Sequence, residues 1–139
     1  MRLLLLLAAL GGTASSVDAD RVKMQGALLR IQSAQSYTLH EIQSAAGISV
    51  REYVSSSGDV FGVAWSGPAM PDLQQVLGTY FTAYQQAVQE ARRTRRARGP
   101  IAIDTGDLVV QVSGHMRSFT GRAYVKHLMP PTVDPSAVR

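Results

Sequence analysis

Arg92, Arg93, Arg95, Arg96 and Arg98 place five guanidinium groups within seven residues. A guanidinium is a permanent cation whose planar fork matches carboxylate and phosphate. The run is therefore a candidate anion site, with Arg92, Arg95 and Arg96 projecting within one arc of a helix. The same run would also complement the dipole at a helix C-terminus. His40, His115 and His127 are the other chemistry-bearing side chains. They fall on separate segments, and no pair at i,i+4 presents two imidazoles from one helix to a metal. They read as surface or strand-face histidines, and no cofactor is expected.

Asp104-Thr105-Gly106 follows the apolar Ile101-Ala102-Ile103 and looks like the aspartic-protease tripeptide. There, paired carboxylates share a proton and activate water. This chain carries one copy, so a dimer would have to supply the second. Asp107 stands where Ala or Ser is usual, and no apolar-Gly-Arg segment follows. A turn capped by Asp is the simpler reading. There is no Gly-x-Ser-x-Gly elbow and no phosphate-binding Gly loop. No catalytic constellation emerges. An enzyme reading, a hydrolase using Asp104 and His115, would need Asp104, Asp107 and His115 gathered in a deep pocket.

The elements that must position these groups centre on residues 48–91. Ile48, Val50 and Val54 share a face with Glu52, opposite Ser49, Arg51 and Tyr53. Ser55-Ser56-Ser57-Gly58 is a turn. Phe61, Val63 and Trp65 then alternate with the small face Val60, Gly62 and Ala64, which suits a strand with something packed close over its small side. Gly67-Pro68 breaks that strand. Pro71 and Asp72 open a helix. Its stripe of Leu73, Val76, Leu77, Tyr80, Phe81, Tyr84, Val88 and Ala91 runs at spacings of three and four. Gly78 interrupts the stripe at a cost of about 1 kcal/mol against Ala. Gly99-Pro100 ends the helix.

On either side the signals are shorter. Val17, Arg21, Met24 and Leu28 suggest a first helix near 16–29. Tyr37–Gln43 reads as a strand, as do Ile101–Ile103 and Leu108–Val112. Ser113-Gly114 reads as a tight reversal, with His115–Phe119 returning and Gly121–Val125 extending it. Pro130, Pro131 and Pro135 make 128–139 a Pro-rich irregular tail. Runs of adjacent strands favour an α+β domain over a parallel α/β one. The expected fold is one α+β domain over 15–127, an antiparallel sheet of about five strands under one long amphipathic helix, with a short N-terminal helix.

The chain has 139 residues, 17% of them charged, a formal charge of +4 and no Cys. That length supports one domain with its own core. The lack of Cys excludes disulfides, thiolate metal sites and Cys nucleophiles. Met1-Arg2, the apolar Leu3–Leu10 and the small Gly11–Ala14 form a signal-peptide pattern over 1–14, too short to span a bilayer. Export would make nucleic acid a poor partner. An anionic envelope component or an acidic protein would become the candidate for the Arg run.

Several segments together resemble a domain-of-unknown-function family, number 2844, of small exported proteins from Gram-negative bacteria. They are Ala9–Gly12, Arg51–Val54, Gly58–Phe61, Val63–Trp65, Gly67-Pro68, Pro71–Gln74, Asp104–Val110, Gly114–Arg117 and Gly121–Tyr124. The resemblance covers almost the whole chain and implies export and a single domain, and the expected location is the periplasm. It implies no activity. Ala9–Gly12 resembles the family's mature N-terminus, yet only eight residues precede it. That implies either a short signal peptide or a true start further upstream. The overall expectation is a non-enzymatic binding or envelope accessory module.

Overall fold

In the computed structural model the residues described are 27–33, 36–43, 46–94 and 101–139. The expected signal segment 1–14 lies outside them, as does most of the expected first helix. The chain forms one small α+β domain. Its strands are β1 (Ala27–Ser33), β2 (Tyr37–Gln43), β3 (Ser49–Ser55) and β4 (Val60–Gly67), followed by the helices α1 (Leu73–Leu77) and α2 (Phe81–Thr94), and then β5 (Ile101–Asp104), β6 (Leu108–His115) and β7 (Ser118–Val125). The strands make one seven-stranded sheet in the order β1-β2-β3-β4-β7-β6-β5. Every pairing is antiparallel. The helices carry the chain from β4 to β5 at the far edge, and β7 returns to close against β4.

The sheet is larger than the expected five strands because β1 adds an edge. Ala27, Leu28 and Leu29 were expected to end a helix, but they open this strand, where Leu28 stands opposite Ile42. A three-and-four spacing through Leu28 yields here to ladder pairing with β2. The reversal expected at Ser113-Gly114 lies three residues later. β6 runs to His115, which pairs with Ser118 around Met116 and Arg117. Gly114 stays within the strand, where a Cβ would come 2.5 Å from the Ser118 carbonyl oxygen.

The helical stripe packs as its periodicity requires. Val76, Leu77 and Tyr84 are buried with Val50, Val54, Val63, Trp65, Leu108, Val110 and Val125, while Leu73, Tyr80, Phe81 and Val88 pack against them. The helix is not continuous. Gly78 has φ 58° and ψ −125°, and its N–H reaches back to the Gln74 carbonyl oxygen. A short 3-10 turn, Gly78–Tyr80, follows before α2 begins. Side chains rarely adopt this backbone geometry, so Gly78 divides the helix instead of being a defect within it. No described helix is long and apolar enough to cross a membrane.

The other face carries a second core of Tyr53, Phe61, Ala64, Val109, Tyr124 and Val138. A register shift between Tyr53 and Val54 sets Val60 opposite Val54 and Gly62 opposite Tyr53. Phe61 therefore turns away from Val63 and Trp65, contrary to strict alternation, because the bulge adds one residue to β4. The close neighbour expected over the small face is Val138, since a Cβ on Gly62 would meet its Cγ2 at 2.9 Å. The last residues thus lie across the sheet. Asp134 caps a 3-10 turn at Pro135–Ala137, and Val138 is fully buried.

Candidate functional site

Beside that C-terminal segment, part of the second face stays open as a cleft of about 610 Å³. One register row runs along it, with Arg51 opposite Ala64, Ala64 opposite Arg122, Arg122 opposite Gln111, and Gln111 opposite Ala102; all but Ala64, which is fully buried in the second core, line the cleft. The row therefore spans β3, β4, β7, β6 and β5. Four strand spacings make it about 19 Å long, and Arg51 and Arg122 lie two spacings or about 10 Å apart. Arg51, Gln111, Ser113, Thr120, Arg122 and Arg139 line the cleft, with no Asp or Glu among the lining residues.

The C-terminal segment fixes both guanidinium groups. Arg51 Nε donates to the backbone oxygen of Arg139 at 2.8 Å, and Tyr53 Oη donates to the same oxygen at 2.9 Å. Arg51 Nη1 also donates to Ser49 Oγ at 3.3 Å. Arg122 Nε donates to Gln111 Oε1 at 2.8 Å, and its Nη1 donates to the Pro135 and Val138 carbonyl oxygens at 3.1 and 3.2 Å. The Arg122 guanidinium also stands 5.9 Å from the Tyr124 ring centre. The Ser49, Gln111, Pro135 and Val138 acceptors are neutral, whereas Arg51 also has Glu41 opposite it on β2, whose Oε2 accepts from Ser49 Oγ at 3.1 Å. Each arginine keeps N–H donors beyond those used, since a guanidinium has five. These are half-buried cations, held in position with donors to spare, beside a cleft lined by no Asp or Glu side chain.

A family model described as "Protein of unknown function (DUF2844)" matches residues 7–138. The chain belongs to this family. No curated protein and no solved structure gives a significant match. Family 2844 carries no assigned activity, so the chemistry must be argued from the side chains themselves.

The residues singled out from sequence are dispersed. Asp104 pairs with Val109 near one end of β6, while His115 ends the strand, about 20 Å further along. Asp104 and His115 are therefore not brought together, and neither lines the cleft. Asp104 and Asp107 instead fasten the turn after β7. Lys126 Nζ lies 3.2 Å from both Asp104 carboxylate oxygens. His127 donates its backbone N–H to Asp107 Oδ1 at 2.9 Å, and its Nδ1 is 2.6 Å from Oδ2. The Gly106 backbone N–H, then Lys126, hold the Asp104 carboxyl below its ordinary range. Slight desolvation pushes Asp107 upward, but the His127 amide and ring outweigh it and its carboxyl also sits low. Both carboxylates thus stay ionised in a structural clamp, a poor arrangement for a general acid.

His40 lies on β2, directly across from the fully buried Glu52, remote from His115 and His127 in the sheet. No group of three metal-ligating side chains occurs among the described residues. Arg92 and Arg93 end α2, both exposed, and Arg93 pairs with Glu90 at 3.0 Å. Arg95, Arg96 and Arg98 lie outside the described residues.

Arg51 and Arg122 were not singled out as a site from sequence. A signal was present. Each stands two residues before a tyrosine, Tyr53 or Tyr124, that its strand buries. Strand alternation puts an arginine so placed on the buried side of the tyrosine's face. What sequence lacked was the β4–β7 pairing that brings the two arginines together.

Proposed function

We propose that this protein is an exported, non-enzymatic binding module whose site is the sheet-face cleft, and that it holds an anionic ligand against Arg51 and Arg122. The observation that carries this reading is the pair of half-buried guanidiniums, each with N–H donors to spare, beside a cleft lined by no Asp or Glu side chain. A charge in that setting loses hydration and gains most from an incoming anion. The 1–14 pattern and the family resemblance support export. Intact-mass analysis of natively expressed protein should show a new N-terminus between about Ala9 and Ala19. Full-length chain recovered from the cytosol would argue against export.

The helix-end run of Arg92, Arg95 and Arg96 is a second candidate for the same ligand class, favoured by Arg92, which is exposed and makes no ion pair among the described residues. One titration separates the two. Binding of polyphosphate, polyglutamate and polygalacturonate should weaken as salt rises, because anion contacts release counterions. Arg51→Gln with Arg122→Gln should flatten that dependence for the ligand that binds, while Arg92→Gln with Arg95→Gln and Arg96→Gln leaves it steep. The opposite ranking would move the site to the helix end, and no salt-sensitive binding to any of the three would remove the reading.

A further inference from the structure

We propose that the C-terminal segment Met129–Arg139 is a releasable strap that fills part of this site as a peptide would. Its external ligand is then an acidic peptide that displaces the strap, seating a valine-sized side chain on Gly62 and a carboxylate on Arg122. The inference rests on the anion-binding reading above and adds the ligand class and the displacement.

The strap's own contacts show what the groove accepts. Val138 is fully buried in a cluster with Tyr53, Phe61, Ala64 and Tyr124. A Cβ on Gly62 would meet its Cγ2 at 2.9 Å, so the absent side chain of Gly62 makes the slot. Around that slot the sheet reads main chain. Arg122 Nη1 reaches the Pro135 and Val138 carbonyl oxygens, while Arg51 Nε and Tyr53 Oη reach the Arg139 oxygen. The Arg139 N–H donates to Tyr53 Oη at 3.3 Å. Main-chain oxygens give a peptide site its affinity, and a side-chain slot gives it selectivity.

The strap is lightly held. Among the described residues no backbone–backbone hydrogen bond joins it to a strand. Its N–H groups at Val133, Ala137 and Val138 bond to Pro130, Asp134 and Pro135 within the strap itself. Lifting it therefore breaks side-chain contacts and no sheet ladder, as suits a unit that opens apart from the rest of the fold.

Charge decides what competes with it. Arg122 Nη1 donates to two neutral carbonyl oxygens, and a carboxylate takes such N–H groups in a stronger, charge-assisted bond. The strap also brings a cation, Arg139, to a cleft already lined by Arg51 and Arg122. Its one acid, Asp134, is used to cap the strap's own turn through the Ser136 N–H at 2.9 Å. A peptide with Glu where the strap has Arg removes a like charge and supplies an anion.

The test follows the strap in the full chain. The protein has no Cys, so Val138→Cys supplies a single thiol at a buried position. The probe is the pentapeptide ESAVE, blocked at both ends, with ESAGE and QSAVQ as controls. Saturating ESAVE should speed thiol labelling by about tenfold or more, and the controls should not. On the native chain the same peptide should move the amide NMR signals of Ala137, Val138 and Arg139 to disordered positions, which decides the matter if the Cys variant does not fold. No response to ESAVE in either measurement, with salt-sensitive polyglutamate binding retained in the cleft, would overturn the displacement and leave the anion-binding reading standing. Binding of neither would overturn both. Equal effects of ESAVE and ESAGE would overturn the Gly62 slot, and equal effects of ESAVE and QSAVQ would overturn carboxylate recognition.

Discussion

Gly121 shows how closely single positions are constrained around the cleft. It lies opposite Trp65, and a Cβ there would fall 2.3 Å from the indole Cζ2 and 2.4 Å from Cε2. The indole is buried against the helices and cannot swing out freely. Gly121→Ala should therefore cost about 1–3 kcal/mol through overpacking. It should also alter the emission of the only tryptophan. A denaturant midpoint and emission spectrum unchanged from the native protein would show that the indole does not rest on Gly121. Individual side chains of this kind were only partly legible in sequence. The small face of Gly62 and Ala64 announced a close neighbour, but nothing local could name Val138, 76 residues away from Gly62. Arg51 and Arg122 were not singled out from sequence, and only the strand order sets them in one row.

The elements were more readable, because hydrophobic period acts locally. The β3–β4 hairpin, β2, β5 and the stripe from Leu73 to Val88 all follow from alternation or three-and-four spacing. The failures came where tertiary contacts decide. Leu28 joined a ladder, Gly114 remained inside a strand, and Gly78 split a helix that periodicity made continuous. The Asp104–Asp107 turn read correctly as a turn, but its partner was out of reach of sequence. That clamp has a pH signature. Asp104 and Asp107 both have folded-state values below the ordinary one. Their contribution is therefore present above the unfolded carboxylate value of about 4 and is lost as pH falls below it through the folded value. Urea midpoints of the native protein should drop more steeply below about pH 4 than those of Asp104→Asn with Asp107→Asn. Parallel curves would mean that the clamp does not couple protonation to folding.

In the whole molecule, the two sheet faces have different tasks. The helices close one face and make the larger core. On the other, the C-terminal segment from Met129 to Arg139 covers only part of the sheet, and its main-chain oxygens orient the two arginines at the edge of what remains open. The return of β7 to β4 is what makes this arrangement, since it sets Arg122 beside Ala64 and two strands from Arg51. Amide NMR spectra recorded while polyphosphate, polyglutamate or polygalacturonate is added test the location of the site most directly. The account predicts shifts concentrated at Arg51, Gln111, Ser113, Thr120, Arg122 and Arg139, with α2 unmoved. Shifts confined to α2 and the arginine run beyond it, or no shifts in the cleft with any of the three polyanions, would contradict it.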